Sequence, residues 1–200
     1  MASLSNRVIS IYDRKTSMRL APAEWKAVDT ICKREDIKRK KLFEIIDMNR
    51  DKNLGLTSSV RLFAIIYYQN SIMRKQQHHH DDSLYCPIFE AVRGIIQTRK
   101  NQMAELTNKI IFISNKKTSM RLAAAEWKAL EIICERERIK RNHLLELINN
   151  RKDSKLGLTS SVRLFAIIYF YHLLTDNKQN YAPQTRQIDS PIFDAISGIL

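Results

Sequence analysis

The sequence is poor in the residues that bend a chain. It holds four glycines and four prolines, which favours helices over a turn-rich β fold. Cysteine is scarcer still, and three of them, an odd number, make no disulfide framework. Cys32 and Cys134 fall at equivalent places in apolar helical patterns and read as small core residues, and a reducing interior fits them. No apolar run reaches about 18 residues, so no membrane span is expected. The start, Met-Ala-Ser-Leu-Ser-Asn-Arg, lacks the charged head and apolar body of a signal peptide. A nucleophile elbow, a phosphate loop, metal-ligand spacing and a repeated carboxylate pair are also missing, which argues against an enzyme and against a cofactor or metal site. Acid is in short supply: 21 Asp and Glu stand against 34 Lys and Arg, a formal charge of +13. That excess points to a polyanionic partner, although basic charge also serves solubility. With 44% apolar residues the chain can bury a core, and its 200 residues allow one large domain or two small ones.

What is present is a repeat. Sliding the chain by 102 positions aligns residues 14–68 with residues 116–170 without a gap, and 37 of the 55 pairs are identical. The likeness begins earlier, with Asn6-Arg7-Val8-Ile9 against Asn108-Lys109-Ile110-Ile111, and resumes where Pro87-Ile88-Phe89 meets Pro191-Ile192-Phe193. The reading is therefore two repeats, 1–100 and 101–200. The period is too long and the copies too few for a solenoid. A tandem pair is how a symmetric dimer looks once its subunits are fused, and such dimers suit two-fold DNA sites.

Within each repeat one stretch stands out: Lys15-Thr16-Ser17-Met18-Arg19-Leu20, which returns as Lys117-Thr118-Ser119-Met120-Arg121-Leu122. It alternates with period two, placing Thr16, Met18 and Leu20 on one face and Lys15, Ser17 and Arg19 on the other, as in a half-buried strand. Its polar face carries groups that reach base edges and phosphates. It can equally be an edge strand kept soluble by charge. The expectation is that the two copies pair with each other as a β-ribbon. Arg7–Ile11 reads as a preceding strand and Tyr12-Asp13-Arg14 as a turn.

A first helix opens at Ala21-Pro22-Ala23-Glu24, with Trp25, Val28, Ile31 and Cys32 on its apolar face, and ends near Glu35-Asp36. A second begins around Lys38. Its first turn is Lys38-Arg39-Lys40-Lys41, and cations at that end oppose the helix dipole. A phosphate docked on the free backbone N–H groups and on those cations relieves the conflict; the alternative is a solvated face. The second copy, Lys140-Arg141-Asn142-His143, is weaker, so the N-terminal half is expected to grip an anion more tightly. A third helix follows, capped by Thr57 or Ser58, with Val60, Phe63, Ala64, Ile66 and Tyr67 buried. Leu54–Tyr67 and Leu156–Tyr169 are identical, which we read as packing at a shared core. Amphipathic helices are expected over Pro87–Leu106 and Pro191–Leu200, with Ile88, Val92, Ile95 and Ile96 inward in the first, and Gly94 and Gly198 marking close packing. Gln69–Asp82 is polar and reads as a flexible loop; three adjacent His side chains at its end, His78, His79 and His80, cannot all face one metal.

The basic alternating strand, the acid-started helix with its buried aromatic and the cation-started second helix together resemble the ribbon-helix-helix DNA-binding superfamily of MetJ and Arc type. Lys-Thr-Ser-Met-Arg-Leu-x-x-x-Glu-Trp, followed by Leu-Thr-Ser-Ser-Val-Arg-Leu-Phe and a tyrosine-ended helix, looks like its bacterial subfamily with an extra helix. The resemblance covers roughly residues 6–68 and 108–170. It implies a mainly α fold with a short antiparallel β-ribbon, two ribbon-helix-helix units forming an intramolecular pseudo-dimer. It also implies base contacts by Lys15, Ser17, Arg19, Lys117, Ser119 and Arg121 in the major groove. Phosphate would be held at Lys38, Arg39, Lys40 and Lys41 and at Lys140 and Arg141. The family usually starts that helix with Ser or Thr, so Lys here shifts the grip toward point charges.

The function implied is a sequence-specific double-stranded DNA binder, a repressor in a bacterial cytoplasm associated with the nucleoid, able to self-associate into a dimer of pseudo-dimers. With no sensor pocket visible, protein level would set its occupancy. The other reading is an interaction module, an antitoxin or a plasmid or phage accessory factor with a protein partner. RNA readers present exposed aromatics for stacking, and the Lys15–Leu20 stretch has none.

Overall fold

The computed structural model describes residues 4–76, 86–96, 102–175 and 191–199. The chain runs β1 (Ser5–Ile11), β2 (Arg14–Leu20), α1 (Pro22–Arg34), α2 (Arg39–Asn49), α3 (Leu56–Gln76), α4 (Pro87–Ile95), then β3 (Leu106–Ile113), β4 (Lys116–Ala123), α5 (Ala124–Arg136), α6 (Arg141–Arg151), α7 (Leu158–Thr175) and α8 (Pro191–Ser197). The fold is mainly α, as expected, and its strands form two short antiparallel sheets in place of the single ribbon expected. The boundary expected at residues 100 and 101, and the His78–His80 part of the expected loop, lie outside the described residues. The start of that loop is instead helix, α3 running on to Gln76 because Gln69, Ser71 and Ile72 are buried.

The strand pairing differs from expectation. β2 and β4 do not pair with each other; β2 pairs with β1 and β4 with β3, as two separate antiparallel hairpins. The cause is local. Tyr12 and Asp13 have φ of 46° and 64°, and Ser114 and Asn115 have 47° and 63°. Two consecutive left-handed residues form the tight turn whose twist matches a β-hairpin, and Asp and Asn tolerate that conformation better than most residues. A partner two residues away is captured before one a hundred residues away, because loop closure costs more entropy as the loop lengthens.

The helices follow the apolar spacing. α1 buries Trp25, Val28 and Ile31 and stops where Asp36 turns left-handed, φ 46°. The Ile37 N–H then bonds the Cys32 carbonyl at 3.0 Å, closing the end. α2 begins with Lys38 as its N-cap. α3 starts earlier than expected: the Gly55 carbonyl accepts the first helical bond, from the Ser59 N–H at 3.0 Å, so Thr57 and Ser58 lie inside the first turn instead of capping it. α4 ends at Ile95 and α8 at Ser197, both short of the expected Leu106 and Leu200. In α4, Ala91, Val92 and Ile95 are buried, and Ile88 and Ile96 are half-buried. Cys32 and Cys134 are half-buried against the core rather than inside it, and burial raises both thiols above their ordinary value.

One continuous hydrophobic core runs through both repeats. Its centre is α3 against α7, with α1 packed on α7 and α5 on α3 across the pseudo-two-fold. The identical stretches Leu54–Tyr67 and Leu156–Tyr169 lie in or lead into these two helices. Tyr68 donates its hydroxyl to the Ala27 carbonyl at 2.7 Å and meets Tyr171 of the other repeat edge to face at 5.9 Å. Tyr67 and Tyr169 donate to Glu35 and Glu137. Burial first, and the accepting carboxylates with it, push both phenols above their ordinary value. By length and composition α7 is apolar enough to cross a membrane, which the sequence reading did not anticipate. Here it packs against α1, α3, α5, α6 and α8, and so its hydropathy is that of a core helix.

Gly94 and Gly198 mark the close approach expected of them, Gly94 within α4 and Gly198 in the turn just after α8. A Cβ at Gly94 would lie 2.8 Å from Ile66 Cδ1, and one at Gly198 would lie 2.7 Å from Ile168 Cδ1. Ile66 is itself buried, so it has little room to give. Gly94→Ala should therefore lower stability by about 1–2 kcal/mol in a urea melt: overpacking of about 1–3 kcal/mol outweighs up to about 1 kcal/mol of helix propensity gained. Gly55→Ala, whose Cβ meets nothing within 4 Å, is the control that should change stability little.

Candidate nucleic-acid interface

Side chains directly opposite in an antiparallel pair share a face. The register Asn6↔Arg19, Val8↔Ser17 and Ser10↔Lys15 therefore sets six residues on one side of the first hairpin. The second matches, with Asn108↔Arg121, Ile110↔Ser119 and Phe112↔Lys117. All twelve are exposed. On the opposite face Ile9, Ile11, Met18 and Leu20 are buried, as are Ile111, Ile113, Met120 and Leu122. Thr16 shares that inner face yet is exposed, its ladder partner Ile9 taking the cover. Thus Lys15, Ser17, Arg19, Lys117, Ser119 and Arg121 stand outward as expected, but each row is accompanied by a row from the preceding strand that sequence reasoning did not include. The alternation of Ile9 and Ile11 with their polar neighbours could have found it. The second hairpin also carries an exposed aromatic, Phe112, on the preceding strand that the sequence reading left out of the ribbon.

Each face rests on a buried ion pair. Arg61 of α3 donates Nε to Glu24 Oε1 at 2.6 Å and Nη2 to the Arg19 carbonyl at 3.2 Å. Glu24 also accepts the Ala21 N–H at 2.6 Å, capping α1. The second repeat repeats it: Arg163 Nε reaches Glu126 Oε1 at 2.8 Å, and Glu126 accepts the Ala123 N–H at 2.7 Å. In the first repeat the strand's last outward arginine, Arg19, is thereby fixed to the core through its own carbonyl. No local pattern in the sequence assigns Arg61 this role.

The hairpin tips are tied to the second helices. The Tyr12 hydroxyl donates to the Glu44 carbonyl at 2.8 Å, and the Ser114 N–H donates to Glu146 Oε1 at 3.0 Å. So ribbon and helix move as one piece. At the start of α2 the first helical bond is Leu42 N–H to the Lys38 carbonyl. The amides of Arg39, Lys40 and Lys41 thus have no acceptor within the helix, and neither an acidic residue nor a side-chain cap serves them. α6 is built alike, its first bond running from Leu144 to Lys140.

The cations at these starts divide into two groups. Lys38, Lys40, Lys41 and Lys140 are exposed. Arg39 and Arg141 are half-buried and lie back against the protein. Arg39 donates Nε to Asp29 Oδ1 at 2.8 Å and lies 5.6 Å from the Trp25 ring centre. Arg141 lies 6.0 Å from that of Trp127. Arg7 and Lys109 also stand over these rings, at 4.7 and 4.9 Å. Both arginines therefore brace the indole as well as the helix start. The denser charge of the first repeat is partly offset, since Lys40 reaches Asp13 at 3.4 Å where the second repeat has Asn115.

A cleft of about 350 Å³ lies between the repeats, against Gln69, Ile72, Met73, Ile132, Phe170 and Leu173, where the sequence showed no pocket. It breaks the pseudo-symmetry. The counterpart of Gln69 is Tyr171, whose ring packs on Tyr68 and lies 5.4 Å from the Lys26 ammonium. Among the described residues there is no cluster of His, Cys, Asp and Glu fit to hold a metal ion.

Comparison with known proteins agrees with this architecture. A family model described as a ribbon-helix-helix domain matches residues 4–68 and again residues 106–170. No curated protein matches, and no solved structure does. The two matches together span well over half of the chain and coincide with its two hairpin-and-helix units, and the chain belongs to the ribbon-helix-helix domain family.

Proposed function

We propose that the chain binds double-stranded DNA sequence-specifically and represses transcription in a bacterial cytoplasm, laying a two-stranded ribbon from each repeat in the major groove. The observation that carries this is the pairing, in each repeat, of an exposed Lys-Ser-Arg row with a helix start whose amides have no acceptor in the helix, the two locked together through the hairpin tip. A two-stranded ribbon fits the B-DNA major groove, and Lys and Arg reach guanine O6 and N7 there. Lys38, Lys40, Lys41 and Lys140 supply sequence-independent affinity to phosphate; Arg39 and Arg141 contribute chiefly by holding the helix starts in place. The repeats 1–100 and 101–200 act as two half-site readers on one core.

If about five phosphates are neutralised, log K should fall against log salt with a slope of roughly −4 to −5. Fluorescence titration of the full chain with random duplex at several salt concentrations measures it. Salt-insensitive binding, or no binding at low salt, sinks the proposal. One observation favours a second role as an interaction module: Phe89 of α4 is 59% exposed on an otherwise packed helix. Weak DNA affinity with a stoichiometric protein partner in a pull-down would make that role the principal one.

A further inference from the structure

The two outward faces agree along one strand and disagree along the other. Lys15, Ser17 and Arg19 are repeated as Lys117, Ser119 and Arg121, and Asn6 as Asn108. Across the ladder, however, Val8 becomes Ile110 and Ser10 becomes Phe112. These are not concealed positions. Val8 is 71% exposed, Ile110 56% and Phe112 49%. Three of the seven exposed large apolar residues among those described stand on these two faces. A face kept for solubility would carry charge at such places. Apolar side chains set among Lys, Ser and Arg instead match the major groove, where a thymine C5-methyl is the one apolar group on a base edge.

We infer that the first strand of each hairpin discriminates between half-sites: Ile110 and Phe112 cover thymine methyls under the second hairpin, while Val8 and Ser10 make the first less selective for them. This rests on the proposed function and refines it, because the site read is then asymmetric although the cationic rows are the same. The spacing fits. Outward residues on a strand are about 6.6 Å apart, close to two base-pair steps of about 3.4 Å, so Ile110 and Phe112 address methyls two steps apart. A single aromatic beside an aliphatic side chain favours this over single-stranded RNA, whose readers stack successive bases on several rings.

The test is selection of sites from a random duplex library by the full chain and by Ile110→Val with Phe112→Ser, which gives the second hairpin the residues of the first. All four positions are exposed, so the fold is retained, and a thermal melt checks it. The chain should select a site with unlike halves, thymines concentrated in one, and the double variant a site with like halves. Replacing those thymines by uracil removes only the methyl and should weaken the unaltered chain about fourfold per methyl and the variant clearly less. Like halves for the unaltered chain, no effect of uracil, or an unchanged selection by the variant overturns the inference while leaving duplex recognition standing. Failure to enrich any duplex sequence overturns the proposed function and this inference together. Tighter binding of single-stranded RNA than of duplex overturns it too, making Phe112 a stacking surface.

Discussion

Arg61→Ala should destabilise the chain by about 3–5 kcal/mol, the cost of breaking a buried ion pair by removing one partner. Glu24 would be left as a carboxylate only 2% exposed, still accepting the Ala21 N–H but without its cation. The Arg19 carbonyl would lose its donor as well. Urea unfolding measures the loss as a lower midpoint at an unchanged slope. Arg163→Ala should cost a similar amount, because Glu126 is held in the same way. Replacing Arg61 and Glu24 together by leucine should recover part of the loss, since apolar pairs of similar volume often substitute well. It should not recover all, because the α1 cap disappears with Glu24. A change below about 1 kcal/mol for Arg61→Ala would mean that water reaches Glu24 and that the pair is a surface contact in energetic terms.

The second large effect concerns recognition. Under the proposed function, Arg19→Ala combined with Arg121→Ala should lose about 1–3 kcal/mol of discrimination at each half-site. The two residues lie in separate hairpins, so the losses should add. Non-specific affinity should persist, because Lys38, Lys40, Lys41 and Lys140 remain. Competition between the selected site and random duplex at one salt concentration separates the two quantities. Equal loss on both DNAs would assign the arginines to phosphate instead. Stability should change little, since both side chains are exposed and only the Arg19 carbonyl is tied to Arg61.

Much of the frame was legible in residue order. The alternation through Met18 and Leu20 gave the buried face of β2, and Trp25, Val28 and Ile31 gave that of α1, because side-chain periodicity is a local property of each element. The duplication disclosed the shared core at α3 and α7. Pairing was not legible in the same way. Alternation tells which face a strand buries but not which strand lies beside it; Tyr12-Asp13-Arg14 was read as a turn, yet without the glycine of a typical two-residue hairpin it did not single out the neighbouring strand over the repeated one. Ile110 and Phe112 were hidden for a related reason: in a strand with apolar residues on both faces, periodicity loses its contrast. The role of Arg61 depends on a carboxylate 37 residues away, which no local pattern records. The ends of α4 and α8 were overrun because apolar residues continue through Ile95-Ile96 and Gly198-Ile199 while the backbone leaves the helix: Ile96 is extended, with ψ 117°, and the Ile199 N–H reaches back only three residues, to Ile196.

The local closure of the hairpins bears on how occupancy depends on concentration. A ribbon shared by two subunits exists only after they meet, so its abundance falls with the square of the subunit concentration when dimers are scarce. Here each ribbon closes on its own preceding strand, and both are carried on one core. Under the proposed function dilution cannot separate them, since the tether would keep the second half-site reader at high effective concentration once the first has bound. Occupancy by a single chain therefore rises as the first power of protein level. A repressor so built would respond gradually to its own abundance, and division of a cell's contents would not disarm it.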